Sequence, residues 1–268
     1  MSERSEPILV VNGLNLWLGR DRAHVVRNLD LSVGKGEILA IAGESGAGKT
    51  QAAASLIGLG GNGTAAAATG RITFDGETIE AGDFNRLARL RGRGMSMVTQ
   101  ESMASLTPVR RVGDLLSETL GQVGGGEQGE RAAELLTEVG FDDPDRVLTS
   151  FPHELSGGMR QRVAFALALA AEPRVLIADE PTTALDLRLQ ASLMSLMSRL
   201  RNSRGMSILL ITHDLAVIAQ LADRVLIMRQ GSLVEYGPTD QLLADPTEPY
   251  TRQLVEQNRH RRRGLVTA

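Results

Sequence analysis

Residues 43–50 read GESGAGKT, preceded by the apolar run EILAIA at 37–42 and followed by QAAASLI at 51–57. The first run is strand-like and the second suits a helix, so the glycine-rich stretch sits at a helix N-terminus. Gly43, Gly46 and Gly48 carry no Cβ, which lets the backbone turn tightly and present successive N–H groups to phosphate oxygens. Glu44, Ser45 and Ala47 fill the other positions of this cradle. Lys49 stands at the spacing that reaches β- and γ-phosphates, and the Thr50 hydroxyl at the spacing that ligates Mg²⁺. The alternative is a glycine-rich turn that matches by chance, and the strand before and helix after speak against it.

A second group of motifs lies downstream. LSGGMRQR occupies 155–162, VLIADE 175–180 and PTTALD 181–186, and a further apolar run ends in ITHD at 211–214. With MVTQES at 97–102, these elements resemble, in order and spacing, the motifs of the ATP-binding subunits of ABC transporters. GESGAGKT corresponds to Walker A, Gln100 to the Q-loop glutamine, LSGGM to the signature, VLIADE to Walker B, Asp186 to the D-loop and His213 to the switch histidine. The resemblance covers nearly the whole chain and implies ATP and Mg²⁺ as ligands.

Phosphoryl transfer to water has a loose transition state whose charge lies on phosphoryl oxygens, so the protein mainly positions groups and stabilises charge. Asp179, at the end of an apolar strand, is expected to hold Mg²⁺ through its water shell. Glu180 is then placed to polarise the attacking water. An Asp-Glu pair that simply ends a strand at the surface is the other reading. By resemblance, His213 senses the γ-phosphate, and Gln100 links Mg²⁺ and γ-phosphate to a membrane partner. A surface-loop glutamine is the other reading, because Thr99 and Glu101 flank Gln100 where many relatives have Phe and Asp. The resemblance also places Ser156, Gly157, Gly158 and Asp186 against ATP held by an opposite subunit. Met159 stands where the commonest signature has Gln, a mild departure. Trp17 is the candidate for adenine stacking; a tryptophan packed into a small sheet is the alternative.

Among ABC subunits the chain most resembles importer ATPases of the dipeptide, oligopeptide and nickel family. The carrying residues are EPTTALD at 180–186, ITHDLAVIAQLADRV at 211–225, DPTEPYTRQL at 245–254 and SLTP at 105–108. Many peptide-importing relatives continue into a cysteine-containing segment, and its lack here favours a nickel or metal-chelate importer slightly. The implied partners are two transmembrane permeases, a second ATP-binding subunit in a head-to-tail dimer and an extracytoplasmic substrate-binding protein. The implied location is peripheral, on the cytoplasmic face of the membrane. Arg110 and Arg111 are adjacent cations in the segment that importers place near the permease. An exporter ATPase shares every catalytic residue and is the main alternative; a non-transport ABC ATPase would need a long heptad insertion or a second cassette.

The remaining composition agrees. A length of 268 residues suits one large α/β domain. No apolar stretch approaches the roughly 18 to 20 residues of a membrane helix, and MSERSEPILV lacks the form of a signal peptide. The absence of cysteine excludes disulfides and thiolate metal sites. A net charge of −3 gives no footprint for nucleic acid, so none is expected as a partner. The basic run RHRRR at 259–263 suits either a solvated tail or a site near anionic lipid.

The expected architecture is α/β: a P-loop NTPase core sheet, an N-terminal antiparallel β subdomain and an inserted α-helical subdomain. Residues 1–268 form a single nucleotide-binding domain, with the helical part at about 101–165 and a short C-terminal extension at about 238–268. Strands are expected at 8–18, 25–33 and 71–75, the last closed by Asp75-Gly76, and a hairpin over 224–236 turning near Gly231. Residues 58–70 (GLGGNGTAAAATG) read as a loop, and 121–130 (GQVGGGEQGE) as a linker between two helices.

Overall fold

Alternation of apolar and polar residues makes PILVVNGLNLWL the strand β1, Pro7–Leu18, with Leu9, Val11, Leu14 and Leu16 buried. The computed structural model describes residues 6–59, 65–99, 106–123, 128–183 and 185–266. Its chain divides into two units, one of Met1–Arg89 with Ser207–Ala268, the other of Leu90–Met206.

In the first unit, β1 lies between β2, Ala23–Gly34, and β4, Ala65–Phe74, antiparallel to both, and β4 pairs with β5, Glu77–Glu80. A mixed sheet forms around β3, Ile38–Ala42, which runs parallel to β8, Ser207–Ile211, on one side and β9, Arg224–Arg229, on the other. All five residues of β3 and of β8 are buried. Continuous apolar runs such as ILAIA and SILLI are what strands covered on both faces require. Strand β10, Ser232–Pro238, completes the hairpin with β9. Gln230 and Gly231, at φ 48° and 84°, make its two-residue turn, and Asp75 and Gly76, at 49° and 83°, make the β4–β5 turn. Positive φ at both central residues matches the strand twist. Helices α1, Lys49–Leu56, and α2, Phe84–Ala88, also belong to this unit.

In the second unit, β6, Met95–Val98, pairs in parallel with β7, Val175–Asp179. Around it are α3, Val112–Val123, α4, Gln128–Glu138, α5, Pro144–Thr149, α6, Gly157–Leu169, and α7, Leu187–Arg204. Asp143 caps α5 by accepting from the Arg146 N–H, with Pro144 in the first turn. Arg162 of α6 donates to the Gly140 carbonyl and to Ser192 Oγ of α7. Arg204 pairs with Glu138, tying α7 to the end of α4. The first unit closes with α8, Leu215–Leu221, α9, Thr239–Ala244, and α10, Pro249–Val266. Among the described residues no helix is long and apolar enough to cross a membrane.

Two local expectations shift. Residues 65–70, read as loop, are strand: Trp17 pairs with Ala67 and Asn15 with Thr69 across β1 and β4. Pairing to a neighbouring strand overrides the weak strand preference of alanine and glycine. The helices also run further into the glycine-rich stretch than expected, to Val123 and again from Gln128. Leu116 and Leu120 on one helix, and Leu135 and Leu136 on the other, are buried, and that burial outweighs about 1 kcal/mol lost per helical glycine.

One ion pair fastens the entry to β3. Glu37 accepts from Arg224 Nε and Nη2, the latter at 2.7 Å, and from the Gly34 N–H. The same guanidinium reaches the Ser32 carbonyl at 2.9 Å and lies 5.1 Å from the centroid of the Tyr236 ring. The hydrogen bonds to Glu37 hold the Arg224 pKa above its ordinary value. Glu37→Ala is expected to lower stability by about 1–2 kcal/mol, read as a lower urea midpoint with an unchanged slope.

Candidate functional site

The loop between β3 and α1 is built by local backbone geometry and by close neighbours. Gly43, Gly46 and Gly48 have φ of 149°, 80° and 95°. A Cβ on Gly43 would stand 2.2 Å from the Met228 carbonyl oxygen, and one on Gly48 would stand 2.5 Å from that of Val25. Gly231 N–H donates to the Ala47 carbonyl at 3.0 Å. The loop is therefore wedged between β2, β9 and the β9–β10 turn, with no room for side chains at either glycine. Gly48 is the N-cap of α1, whose first N–H groups lie outside the helical ladder. Lys49 is buried, and its Nζ donates to the carbonyls of Gly43 at 2.8 Å and Glu44 at 3.0 Å. Thr50, Ser45 and Glu44 are exposed.

His213 follows β8 directly and is exposed. The turn that carries it is anchored on both sides. Thr212 Oγ1 accepts from the Asp214 N–H at 3.1 Å, and Asp214 caps α8 through the Ala216 N–H at 2.8 Å. Ile41 and Ile211 are register partners in parallel strands, and the Thr212 N–H donates to the Ile41 carbonyl. The loop after β3 and His213 thus emerge at the same carboxyl end of adjacent strands, where ligands of open α/β sheets gather. Trp17 pairs with His24 across β1 and β2, and the two rings stack at 4.5 Å between centroids and 17° between planes. His24 precedes Val25, whose carbonyl packs on Gly48.

In the other unit, Asp179 ends β7 and is buried. Glu180 has φ 48°, left-handed backbone that a residue with a Cβ adopts at a cost of about 1–2 kcal/mol. Its Oε2 accepts from Thr183 Oγ1 at 2.9 Å. Ser156 is the N-cap of α6 and accepts from the Met159 N–H, with Gly157 and Gly158 in the first turn. A Cβ on Gly158 would stand 2.7 Å from Leu189 Cδ2. Asp186 caps α7 by accepting from Arg188 and Leu189, each at 2.9 Å. Gly158 and Asp186 thereby share Leu189 as a neighbour. Gln100 lies outside the described residues. Arg110 pairs with Glu118, while Arg111 donates to the Thr149 carbonyl and stacks on Phe151, 4.8 Å from the ring centroid. Both cations serve their own unit's structure.

The model of the family described as ABC transporter matches residues 26–183. The chain belongs to that family. As an ABC cassette it binds ATP and has the α/β fold expected from its sequence. It is 40% identical over 257 residues, 94% of its own length and 47% of the other's, to the peptidoglycan transport ATP-binding protein YejF of Agrobacterium fabrum. It is 40% identical to the oligopeptide transport ATP-binding protein AppD of Bacillus subtilis, covering 92% of this chain and 77% of that one. The glutathione import ATP-binding protein GsiA of Salmonella typhimurium is 41% identical over 94% of this chain and 42% of its own. The cassette thus spans about half the length of YejF and GsiA. Among solved structures, cbiO1 from Clostridium perfringens, part of the transporter complex cbiONQ, matches with TM-score 0.75 and 28% identity over 89% of this chain and 91% of that one. The ATP-binding cassette MJ0796, dimeric and bound to ADP and Pi, matches with TM-score 0.73 and 25% identity over 86% and 98% of the two chains.

The sequence reading missed three contacts at these positions: the Thr183 bond to Glu180, the His24 stack on Trp17 and a bond from Glu44 to Tyr250. Thr183 stands inside the PTTALD motif; His24 carries no signal beyond strand pairing. Gly48→Ala adds a Cβ against the Val25 carbonyl at a φ that alanine resists. Nucleotide affinity is expected to fall by at least tenfold and stability by about 1–3 kcal/mol, measured by ADP titration and urea unfolding.

Proposed function

We propose that this ABC cassette is the ATP-hydrolysing subunit of an importer for peptides or related small substrates, working at the cytoplasmic face of the membrane. One observation carries the reading: about 40% identity, over more than nine-tenths of the chain, to AppD and GsiA, named for oligopeptide transport and glutathione import. The names of these relatives favour a peptide-like cargo over nickel or a metal chelate. The proposed partners are two permease subunits, a second ATP-binding subunit and an extracytoplasmic binding protein. In this reading residues 1–268 act as one nucleotide-binding domain.

The proposed roles follow from the motif in which each residue stands. Lys49 and the backbone from Gly43 to Thr50 hold the phosphates, with the positive end of α1 behind them. Glu180 polarises the attacking water, His213 orients it against the γ-phosphate, and Gln100 reports the γ-phosphate to the permease. Thr183 fixes the Glu180 carboxylate. Thr50, Asp179 and Gln100 offer only oxygen donors, a set that suits Mg²⁺, which when bound neutralises phosphate charge. Trp17, covered on one face by His24, is the candidate for adenine on its other face. Ser156, Gly157, Gly158 and Asp186 act on the opposite subunit's ATP.

Glu180→Gln is expected to lower turnover by about 100-fold or more while ATP affinity stays within a few-fold of the parent. Lys49→Ala is expected to lose affinity itself. Equal loss of affinity in both variants would remove the role assigned to Glu180. For the opposed arrangement, Ser156→Arg in an assembled pair should disable the site built on the partner's phosphate loop and spare ATP binding at Lys49. Nucleotide cross-linking to each subunit separates these outcomes, and loss confined to this chain's own loop counts against the arrangement.

A further inference from the structure

Tyr250 lies in DPTEPYTRQL at 245–254, far from the phosphate loop in sequence. Its phenol oxygen nevertheless accepts a hydrogen bond from the Glu44 backbone N–H at 3.3 Å. The carbonyl of the same residue is also engaged, accepting from Lys49 Nζ at 3.0 Å and from the Ala47 N–H at 3.2 Å. One loop residue is therefore held on one side by the C-terminal segment and on the other by the lysine expected to meet the phosphates.

The tyrosine is itself firmly placed. It is buried in a cluster with Ala40 and Ala42 of β3, Ile227 of β9 and Leu254 of α10. The guanidinium of Arg229, at the end of β9, stands 4.7 Å from its ring centroid. Burial pushes the phenol pKa up, so the group is a neutral hydroxyl at ordinary pH.

The turn leading into α10 has the partners that such placement needs. Glu235 of β10 accepts from the N–H and the hydroxyl of Thr247, each at 2.8 Å, and from the Glu248 N–H at 3.3 Å. Arg252 donates back to the carbonyls of Pro246 at 2.8 Å and Thr247 at 2.9 Å. With the Thr247 and Glu248 N–H groups and the Pro246 and Thr247 carbonyls held in this way, the segment delivers Tyr250 to a fixed position at the start of α10.

We propose that Tyr250 is a positioning residue for nucleotide. It holds the Gly43–Glu44 peptide, whose Gly43 carbonyl accepts from Lys49 Nζ at 2.8 Å, in the shape that receives phosphates, so that ATP affinity depends on the C-terminal segment. The inference rests on the reading of residues 43–50 as the ATP loop.

Tyr250→Phe in the full chain keeps the ring and its contact with Arg229 and removes one oxygen atom. The Kd values for Mg-ADP and Mg-GDP are expected to rise together by about 3- to 10-fold, because the bond acts on the phosphate loop and not on the base. The nucleotide-free urea midpoint is expected to stay close to that of the parent. Unchanged or tighter binding in the variant, with the parent binding normally, overturns the inference and leaves the loop assignment intact. A loss of affinity matched by a comparable loss of nucleotide-free stability makes Tyr250 a structural brace only and also overturns it. If the parent itself fails to bind, or Lys49→Ala binds as the parent does, the loop assignment falls and this inference with it.

Discussion

At Gly43 and Gly48 the loop between β3 and α1 passes so close to the carbonyls of Met228 and Val25 that no side chain fits between them. That backbone contact fixes much else in the first unit. It requires β9 to run alongside β3, which the parallel pairing of Ala42 with Ile227 provides. It also requires β2 to approach from the antiparallel sheet, and the Arg27 N–H bond to the Gly231 carbonyl at 2.8 Å holds it there. The glycines supply conformational freedom, but three segments remote in sequence decide where the loop sits. A phosphate cradle is useful only if its N–H groups stay in place when no ligand is bound, since reordering them would be charged against affinity.

The residues read as catalytic are held by a different device. Glu180 keeps a left-handed backbone at some energetic cost, and the Thr183 hydroxyl and N–H both bond back to it. Strain of this kind persists only where the surroundings over-determine the conformation. Asp179, one residue earlier, is buried at the end of a strand whose every residue is buried. The strand is a rigid base from which the chain turns sharply, and the turn sets the direction of the Glu180 carboxylate. His213 is presented in a similar way, from a fully buried strand into a turn pinned by Thr212 and Asp214.

Much of this was legible in the sequence because it is local. GESGAGKT between an apolar run and a helix former specifies strand, loop and helix without reference to anything distant, and Asp75-Gly76 and Gln230-Gly231 encode two-residue hairpin turns in the same way. Apolar runs and alternation pointed to β1, β3 and β8 directly. The misjudged parts are those where tertiary pairing decides. AAAATG at 65–70 carries no strand signal of its own and is strand because β1 offers a partner. The positive φ of Glu180 has no sequence signal, since glutamate does not favour it. Trp17 was legible as a strand aromatic, but its pairing and stacking with His24 come just after a register shift between Leu16 and Trp17 that no sequence pattern announces. Arg110 and Arg111 read as adjacent cations, and no local pattern announces their partners, Glu118 and the Thr149 carbonyl.

The C-terminal motif shows most clearly how a resemblance and a physical account differ. DPTEPYTRQL marked the chain as similar to one importer family, yet similarity gives no reason for the tyrosine. The geometry does. Glu235 and Arg252 satisfy the backbone of the turn, Arg229 and the apolar cluster fix the ring, and the phenol then meets the Glu44 N–H. That N–H belongs to a loop already confined by Met228 and Val25, so little freedom remains to be removed on binding phosphate. Preorganisation here is cumulative. Glycine conformations set the shape of the loop, the close carbonyls set its position, and the tyrosine and lysine contacts hold the peptides on the two sides of the Glu44 Cα.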